Sequence, residues 1–174
     1  EELSPRVIDR ANIIRLKPEN FNIDNLICQD IKKVLLRYKD IIDYFELLDF
    51  KDELNVAFDD EREQLFRDIK DKFRKLNIYV SPRVEISIKR YCNVAKKIMH
   101  EENRPLDYAI AQRLLPLINV QGIHAKQKLK ELQEKLPEEK FSISASILKD
   151  IISLGEEGEI YENQFNYFLT LSHA

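Results

Sequence analysis

The sequence predicts a mainly α protein, a helical bundle with one short N-terminal strand. The chain of 174 residues contains 3 glycines and 6 prolines, too few for the many turns of a β-sandwich or barrel. Leu, Ile, Lys and Glu are abundant, and all of them except Ile are good helix formers. Most apolar residues recur at helical spacing, whereas alternating spacing is confined to one short segment.

Composition also limits the class of protein. With 44% hydrophobic and 34% charged residues, the chain can bury a core of its own. A formal net charge of -3 gives no overall attraction to nucleic acid. Cys28 and Cys92 lie far apart without metal-ligand spacing, and no apolar run approaches the roughly 20 residues that span a bilayer. We therefore expect a cytoplasmic protein with reduced cysteines and no membrane partner.

The first segment predicts one short helix and the strand. Ser4 can cap a helix over residues 3–11, and Pro5 fits its first turn. The sequence NIIRL then alternates, and Pro18 ends it, which predicts a strand from Asn12 to Leu16. The chain opens on Glu1 rather than Met and enters patterned sequence at once, so we expect a fragment of a longer protein.

Two amphipathic helices are predicted next. Apolar spacing favours a long helix over residues 24–48. The following helix has acidic residues 59–61 at its N-terminus and the basic residues Lys72, Arg74 and Lys75 at its C-terminus, as the helix dipole favours. Its apolar stripe from Leu65 to Leu76 is narrow and typical of core packing.

The second half of the chain predicts four more helices, the first of them capped by Ser81. The aromatic tail follows a glycine-containing turn near Gly155 and is either a strand or an irregular edge segment. The four helices run from Pro82 to about His100, over RPLDYAIAQRLLPLI to about Pro116, from a turn at Gly122 to about Leu136, and from about Ser144 to Leu154.

Three arginines are the candidates for chemistry. The chain has no glycine-rich phosphate loop, and its three histidines are scattered without a positioned carboxylate. Arg6 and Arg83 each stand in the sequence SPRV, which occurs twice, and Arg10 follows the first copy. Ser-Pro is a common helix opening, so these arginines can simply face water. On a rigid helix start, however, an arginine also presents a planar, charged fork to a phosphate.

Three stretches resemble AAA+ ATPases of the McrB type. LSPRVIDRANIIRL is similar to the segment that leads into the last strand of their large nucleotide-binding subdomain. YVSPRVEISIKRYCNVAKKI resembles the opening of their helical lid, and LDYAIAQRLLPLINVQG resembles its ending. This likeness covers most of the chain outside residues 20–77.

The resemblance implies an AAA+ lid-like helical bundle with three parts. These are the end of the large subdomain over residues 1–19, a helical insertion over 20–77 and the lid over 78–174. Arg10 matches the arginine finger, a catalytic role toward the neighbouring subunit's nucleotide. Arg83 matches the nucleotide-binding sensor 2 position, and Arg6 is a weaker candidate for the same interface.

The resemblance also implies cofactors and partners. The full-length parent would use ATP or GTP with Mg²⁺ and form a homo-oligomeric ring, while the fragment alone would bind no cofactor and be inactive. A separately encoded nuclease subunit and DNA, bound through other domains, fit a role in translocation or restriction. The alternative is a stand-alone helical interaction module in which SPRV only caps helices, and Leu26–Phe45 and Leu65–Leu76 dock a partner.

Overall fold

The computed structural model describes residues 4–15, 56–96, 99, 101–157 and 162–171. Within them the protein is mainly helical and carries one short two-stranded antiparallel sheet. The helices are α1 (Pro5–Ile8), α2 (Asp60–Lys75), α3 (Pro82–Ala95), α4 (Arg104–Ala109), α5 (Ile123–Gln133) and α6 (Ser142–Glu157). The other elements are a π-helical turn (Ile110–Leu114), 3-10 turns at Leu115–Leu117 and Phe168–Leu171, and strands β1 (Asn119–Gln121) and β2 (Gln164–Asn166).

Helix α2 begins where the acidic run predicts. The Asp59 side chain accepts a hydrogen bond from the Arg62 backbone N–H at 2.8 Å, which satisfies one free donor of the first turn. Phe66, Ile69 and Phe73 lie on one face and are fully buried. The stripe therefore packs in the protein's own core, as the sequence predicts.

Ion pairs join α2 to α3 as an antiparallel hairpin. Lys70 Nζ lies 2.6 Å from Glu85, and Lys89 Nζ lies 2.8 Å from Glu63. Burial opposes ionisation of Glu85, but hydrogen bonds from Lys70 and Lys89 outweigh it and hold the pKa of this carboxyl below its ordinary value. The later residue of α2 pairs with the earlier residue of α3, so both ion pairs fit one antiparallel register of the two helices.

The predicted helix ending near Pro116 is broken into three pieces. Helix α4 stops at Ala109, and a π-helical turn and a 3-10 turn complete the segment. Proline has no N–H, so Pro116 cannot donate to the carbonyl of Gln112 four residues earlier. That carbonyl instead accepts a hydrogen bond from the Ile13 backbone N–H at 3.1 Å.

A buried aspartate on α4 caps α6. Asp107 is 1% exposed, and its two carboxylate oxygens accept the backbone N–H groups of Ile143 at 3.0 Å and Ser144 at 2.8 Å. The Ser144 hydroxyl donates back to the Asp107 carbonyl at 2.9 Å. Asp107 thus has a structural task, which is to hold the N-terminus of α6 against α4.

Helix α6 is longer than predicted, since it runs through Gly155. The prediction of a turn at this glycine is wrong. A Cβ at position 155 would lie 2.5 Å from the Phe165 ring, so the glycine allows β2 to approach the helix closely. The tail itself forms β2, which pairs with β1, a strand that the sequence analysis did not predict.

The predicted strand from Asn12 to Leu16 is not formed over residues 12–15, and Leu16 lies outside the described residues. Exposure does alternate along the segment, with Ile13 packed on the core and Ile14 66% exposed. A strand needs a neighbouring strand for its backbone ladder, and the neighbour here is the π-helical turn. The first helix is also shorter than predicted, Pro5–Ile8 rather than residues 3–11.

The predicted helix over residues 24–48 lies outside the described residues. Helix α2 falls in the predicted insertion, yet its buried side chains belong to the same core cluster as those of α3, α5 and α6. The division at residues 77 and 78 therefore does not coincide with a break in packing, and the boundaries stay a prediction.

We expect Asp107→Ala to lower the free energy of unfolding by about 2–4 kcal/mol, because two backbone donors at a buried helix start lose a charged acceptor. Urea denaturation would measure the change. Asp71→Ala is the matched control, since Asp71 is half-exposed and its ion pair within the described residues is with Arg74 on its own helix. The control should change stability by less than about 0.5 kcal/mol. A similar loss in both variants would contradict the capping role.

Candidate functional site

The second SPRV copy forms a capped helix start. The Ser81 hydroxyl accepts the Val84 backbone N–H at 3.3 Å, and Pro82 takes the first helical position, where its missing N–H costs nothing. Val84 is buried and anchors this turn. Arg83, between the two, is exposed. The local sequence thus holds an arginine at the surface on a fixed backbone, as predicted.

The first SPRV copy forms a single helical turn. The Ser4 carbonyl accepts backbone N–H groups from Val7 at 2.9 Å and Ile8 at 3.2 Å, and Ile8 is buried. Arg6 is exposed on this turn. Arg10 follows it in a tight turn closed by its backbone N–H, which donates to Val7 at 3.0 Å, and its side chain is exposed.

The two copies meet in the folded chain. The Ser81 hydroxyl donates a 2.6 Å hydrogen bond to the Asp9 carboxylate. Ser81 therefore acts twice, as acceptor for its own helix and as donor to the segment beside Arg10. A hydroxyl-to-carboxylate bond of this length is a strong, charge-assisted contact. No sequence pattern indicates this pairing, because the two residues are 72 positions apart.

Further contacts hold the N-terminal segment, which we define as residues 4–15, on the helical body. The Arg15 guanidinium lies 2.8 Å from Asp150 on α6, and the Arg15 side chain is only 8% exposed. Ile13 bonds the Gln112 carbonyl, as described above. The sequence patterns did not indicate that Asp9, Arg15 and Gln112 hold this segment in place. Only Gln112 had a signal, since Pro116 predicts its free carbonyl.

The three candidate arginines remain unpaired within the described residues. No described side chain forms a hydrogen bond or ion pair with the guanidinium groups of Arg6, Arg10 or Arg83. Arg15 is paired with Asp150 and serves the fold, whereas these three have no partner among the described residues and can bind an anion. The structure joins their backbone segments but does not bring their side chains into contact with any described partner.

The described part of the chain shows neither a reactive thiol nor a cluster of metal-binding side chains. Burial raises the pKa of the Cys92 thiol to about 12, so it stays protonated at neutral pH. Within the described ranges, no cluster of three His, Cys, Asp or Glu side chains could hold a metal ion. The helices described here are also too short or too polar to cross a membrane.

The model of a domain of unknown function, DUF8727, matches residues 22–160. The chain belongs to the DUF8727 family. The DUF8727 match includes Ser81 and Arg83, excludes the N-terminal segment, and crosses the predicted boundary at residues 77 and 78. No curated protein and no solved structure matches the chain.

A double-mutant cycle of Asp9→Ala and Ser81→Ala should give a coupling energy of about 1–2 kcal/mol in urea denaturation, because one charged hydrogen bond joins the two side chains. Ser81→Ala also removes a helix cap, and the cycle subtracts that separate effect. Asp9→Ala combined with Ser153→Ala on α6 is the control, and its effects should add within about 0.5 kcal/mol. Additive effects of Asp9→Ala and Ser81→Ala would mean that the contact does not link the two segments.

Proposed function

We propose that this chain is the finger-and-lid part of an McrB-like AAA+ NTPase, in which Arg10 and Arg83 act on a nucleotide held by other segments. Arg10 is the arginine finger toward the neighbouring subunit, and Arg83 is the sensor 2 residue. Arg6, one turn before Arg10, contributes to the same interface. The resemblance of the SPRV segments to that family supplies these roles.

The observation that carries the proposal is the hydrogen bond between Ser81 and Asp9. It ties the backbone next to Arg10 to the helix start that presents Arg83. A finger and a sensor 2 residue both need fixed positions, since misplacement by about 1 Å costs a large factor in rate. The bond links their two segments directly, which favours coupled roles over two unrelated helix caps.

The chemistry of free guanidinium groups supports the same conclusion. Phosphoryl transfer is accelerated mainly by positioning and by charge placed near the phosphate oxygens. Arg10 and Arg83 are exposed and have no partner among the described residues, so no internal ion pair must break before they bind phosphate. Arg10 follows a hydrogen-bonded turn and Arg83 lies in the capped first turn of α3, so their backbones lose little freedom on binding.

The nucleotide and its metal ion would be held outside this chain. The sequence has no glycine-rich phosphate loop, and the exposed guanidinium groups fit phosphate oxygens rather than Mg²⁺. ATP or GTP with Mg²⁺, neighbouring subunits of a homo-oligomeric ring, a nuclease subunit and DNA all belong to this proposal for the parent protein. So does its role in DNA translocation or restriction in the cytoplasm.

In the alternative function, a helical interaction module, one of the two predicted docking elements is buried. The stripe from Leu65 to Leu76 packs inside the protein, with Phe66, Ile69 and Phe73 fully buried. That surface is therefore not available to a partner. The other element, Leu26–Phe45, lies outside the described residues. No described contact favours the module over the NTPase part.

In the longer protein that contains this chain, Arg10→Ala should lower turnover of ATP or GTP by at least about 10³-fold, because a finger acts on the transition state. Nucleotide affinity should change by less than about threefold. Arg83→Ala should weaken affinity roughly tenfold and also slow turnover, since sensor 2 touches ground-state phosphates. Steady-state rates with both nucleotides and equilibrium titration would measure these effects.

Arg67→Ala, on the exposed face of α2, is the matched control and should leave both quantities unchanged. Equal turnover in the Arg10→Ala variant and the wild type would refute the finger. Unchanged affinity and rate in Arg83→Ala would refute sensor 2. Robust hydrolysis by the 174-residue chain alone would overturn the whole proposal.

A further inference from the structure

A small polar cavity lies between the N-terminal segment and the helical body. It lies between residue Asn12, the face of α3 that follows Arg83 by one turn, and the π-helical turn. Its volume is about 90 Å³, whereas a bound water occupies roughly 10–15 Å³ on the same scale, so a group of several heavy atoms fits. Its described lining is Asn12, Ser87, Ile88, Tyr91, Ala109, Gln112 and Arg113.

The lining is rich in hydrogen-bond donors and carries one positive charge. Asn12 and Gln112 offer carboxamides, Ser87 and Tyr91 offer hydroxyls, and Arg113 offers a guanidinium. None of the described lining residues is a carboxylate. Burial raises the pKa of Tyr91, helped by the nearby Cys92 and Tyr108, so its hydroxyl stays a neutral donor.

Arg113 lies in the cavity lining without a hydrogen-bond or ion-pair partner among the described residues. Burial lowers the pKa of the guanidinium and the charge of Asp9 opposes this, yet an arginine remains charged at neutral pH. Asp9 is the acid whose charge reaches Arg113, and its carboxylate already accepts the Ser81 hydroxyl. The half-buried guanidinium therefore senses the charge of Asp9 but forms no hydrogen bond or ion pair with a described carboxylate, so its own donors remain available to a ligand.

We propose that this cavity binds one tetrahedral oxyanion, a phosphate or a phosphate group, with Arg113 as the charged fork and Asn12, Ser87, Tyr91 and Gln112 as neutral donors. The guanidinium can contact two oxygens of such an anion, and the hydroxyls and carboxamides satisfy the others. The anion would bridge the N-terminal segment to α3 and to the π-helical turn. Binding therefore tightens the contact between the segments of Arg10 and Arg83.

This inference goes beyond the proposed function and does not depend on it. The chain alone contains every residue named, so binding requires neither a ring nor hydrolysis. A phosphate group reaches this cavity either as free inorganic phosphate or as part of a nucleotide. Both sources present the same phosphate chemistry to the cavity. Titration with inorganic phosphate and addition of ATP or GTP distinguish them.

The experiment is a titration of the isotopically labelled 174-residue chain with inorganic phosphate at constant ionic strength, followed by amide chemical shifts. We expect saturable shifts at Asn12, Ser87 and Gln112. Arg113→Gln should weaken binding at least tenfold. Arg67→Gln removes the same charge from the exposed face of α2 and should bind as the wild type does. Shifts without saturation, or equal losses in both variants, would overturn the site as non-specific attraction.

Two milder variants decide the matter if Arg113→Gln does not fold. Arg113→Lys keeps the charge but loses the fork, and Tyr91→Phe removes one hydroxyl, so each should weaken binding about threefold. Wild-type binding in both would overturn the site. Addition of ATP or GTP then identifies the source: shifts at the same amides support a nucleotide phosphate as ligand, and their absence supports free phosphate.

Discussion

The structure depends most on the capping of α6 by the buried Asp107. Helix α6 packs against α4, α5, the π-helical turn, both 3-10 turns and β2, so its direction fixes the centre of the core. A charge that is 1% exposed is stable only because two backbone N–H groups bind it. This one carboxylate therefore fixes the start of α6 on α4, and an apolar residue in its place would leave those donors without their acceptor.

The same arrangement positions the arginine segments. Helix α6 supplies Asp150, which binds the nearly buried Arg15. The turn after α4 supplies the Gln112 carbonyl, freed by Pro116, for the backbone of Ile13. Helix α3 supplies the Ser81 hydroxyl. The N-terminal segment thus contacts three parts of the helical body, at Asp9, Ile13 and Arg15. Arg6 and Arg10 lie on this anchored segment.

Helix capping and apolar periodicity predicted those features that depend on residues close together in sequence. The Ser81 cap, the acidic start of α2 and its buried stripe are confirmed, because capping and periodicity act within one or two turns. The strand at Asn12 was wrong, since a strand also needs a partner that its own residues do not encode. The sheet of β1 and β2, the role of Gly155 and the contact of Asp9 with Ser81 escaped prediction for the same reason, which is that each depends on residues distant in sequence.

The central claim is that Arg10 acts across a subunit boundary. Its most direct test mixes two inactive forms of the longer protein, one with Arg10→Ala and one whose own nucleotide-binding loop is disabled. In mixed rings an intact Arg10 from the second form can face an intact nucleotide site of the first. We expect the mixed rings to turn over nucleotide well above the sum of the two forms measured separately. Turnover no greater than that sum would contradict it.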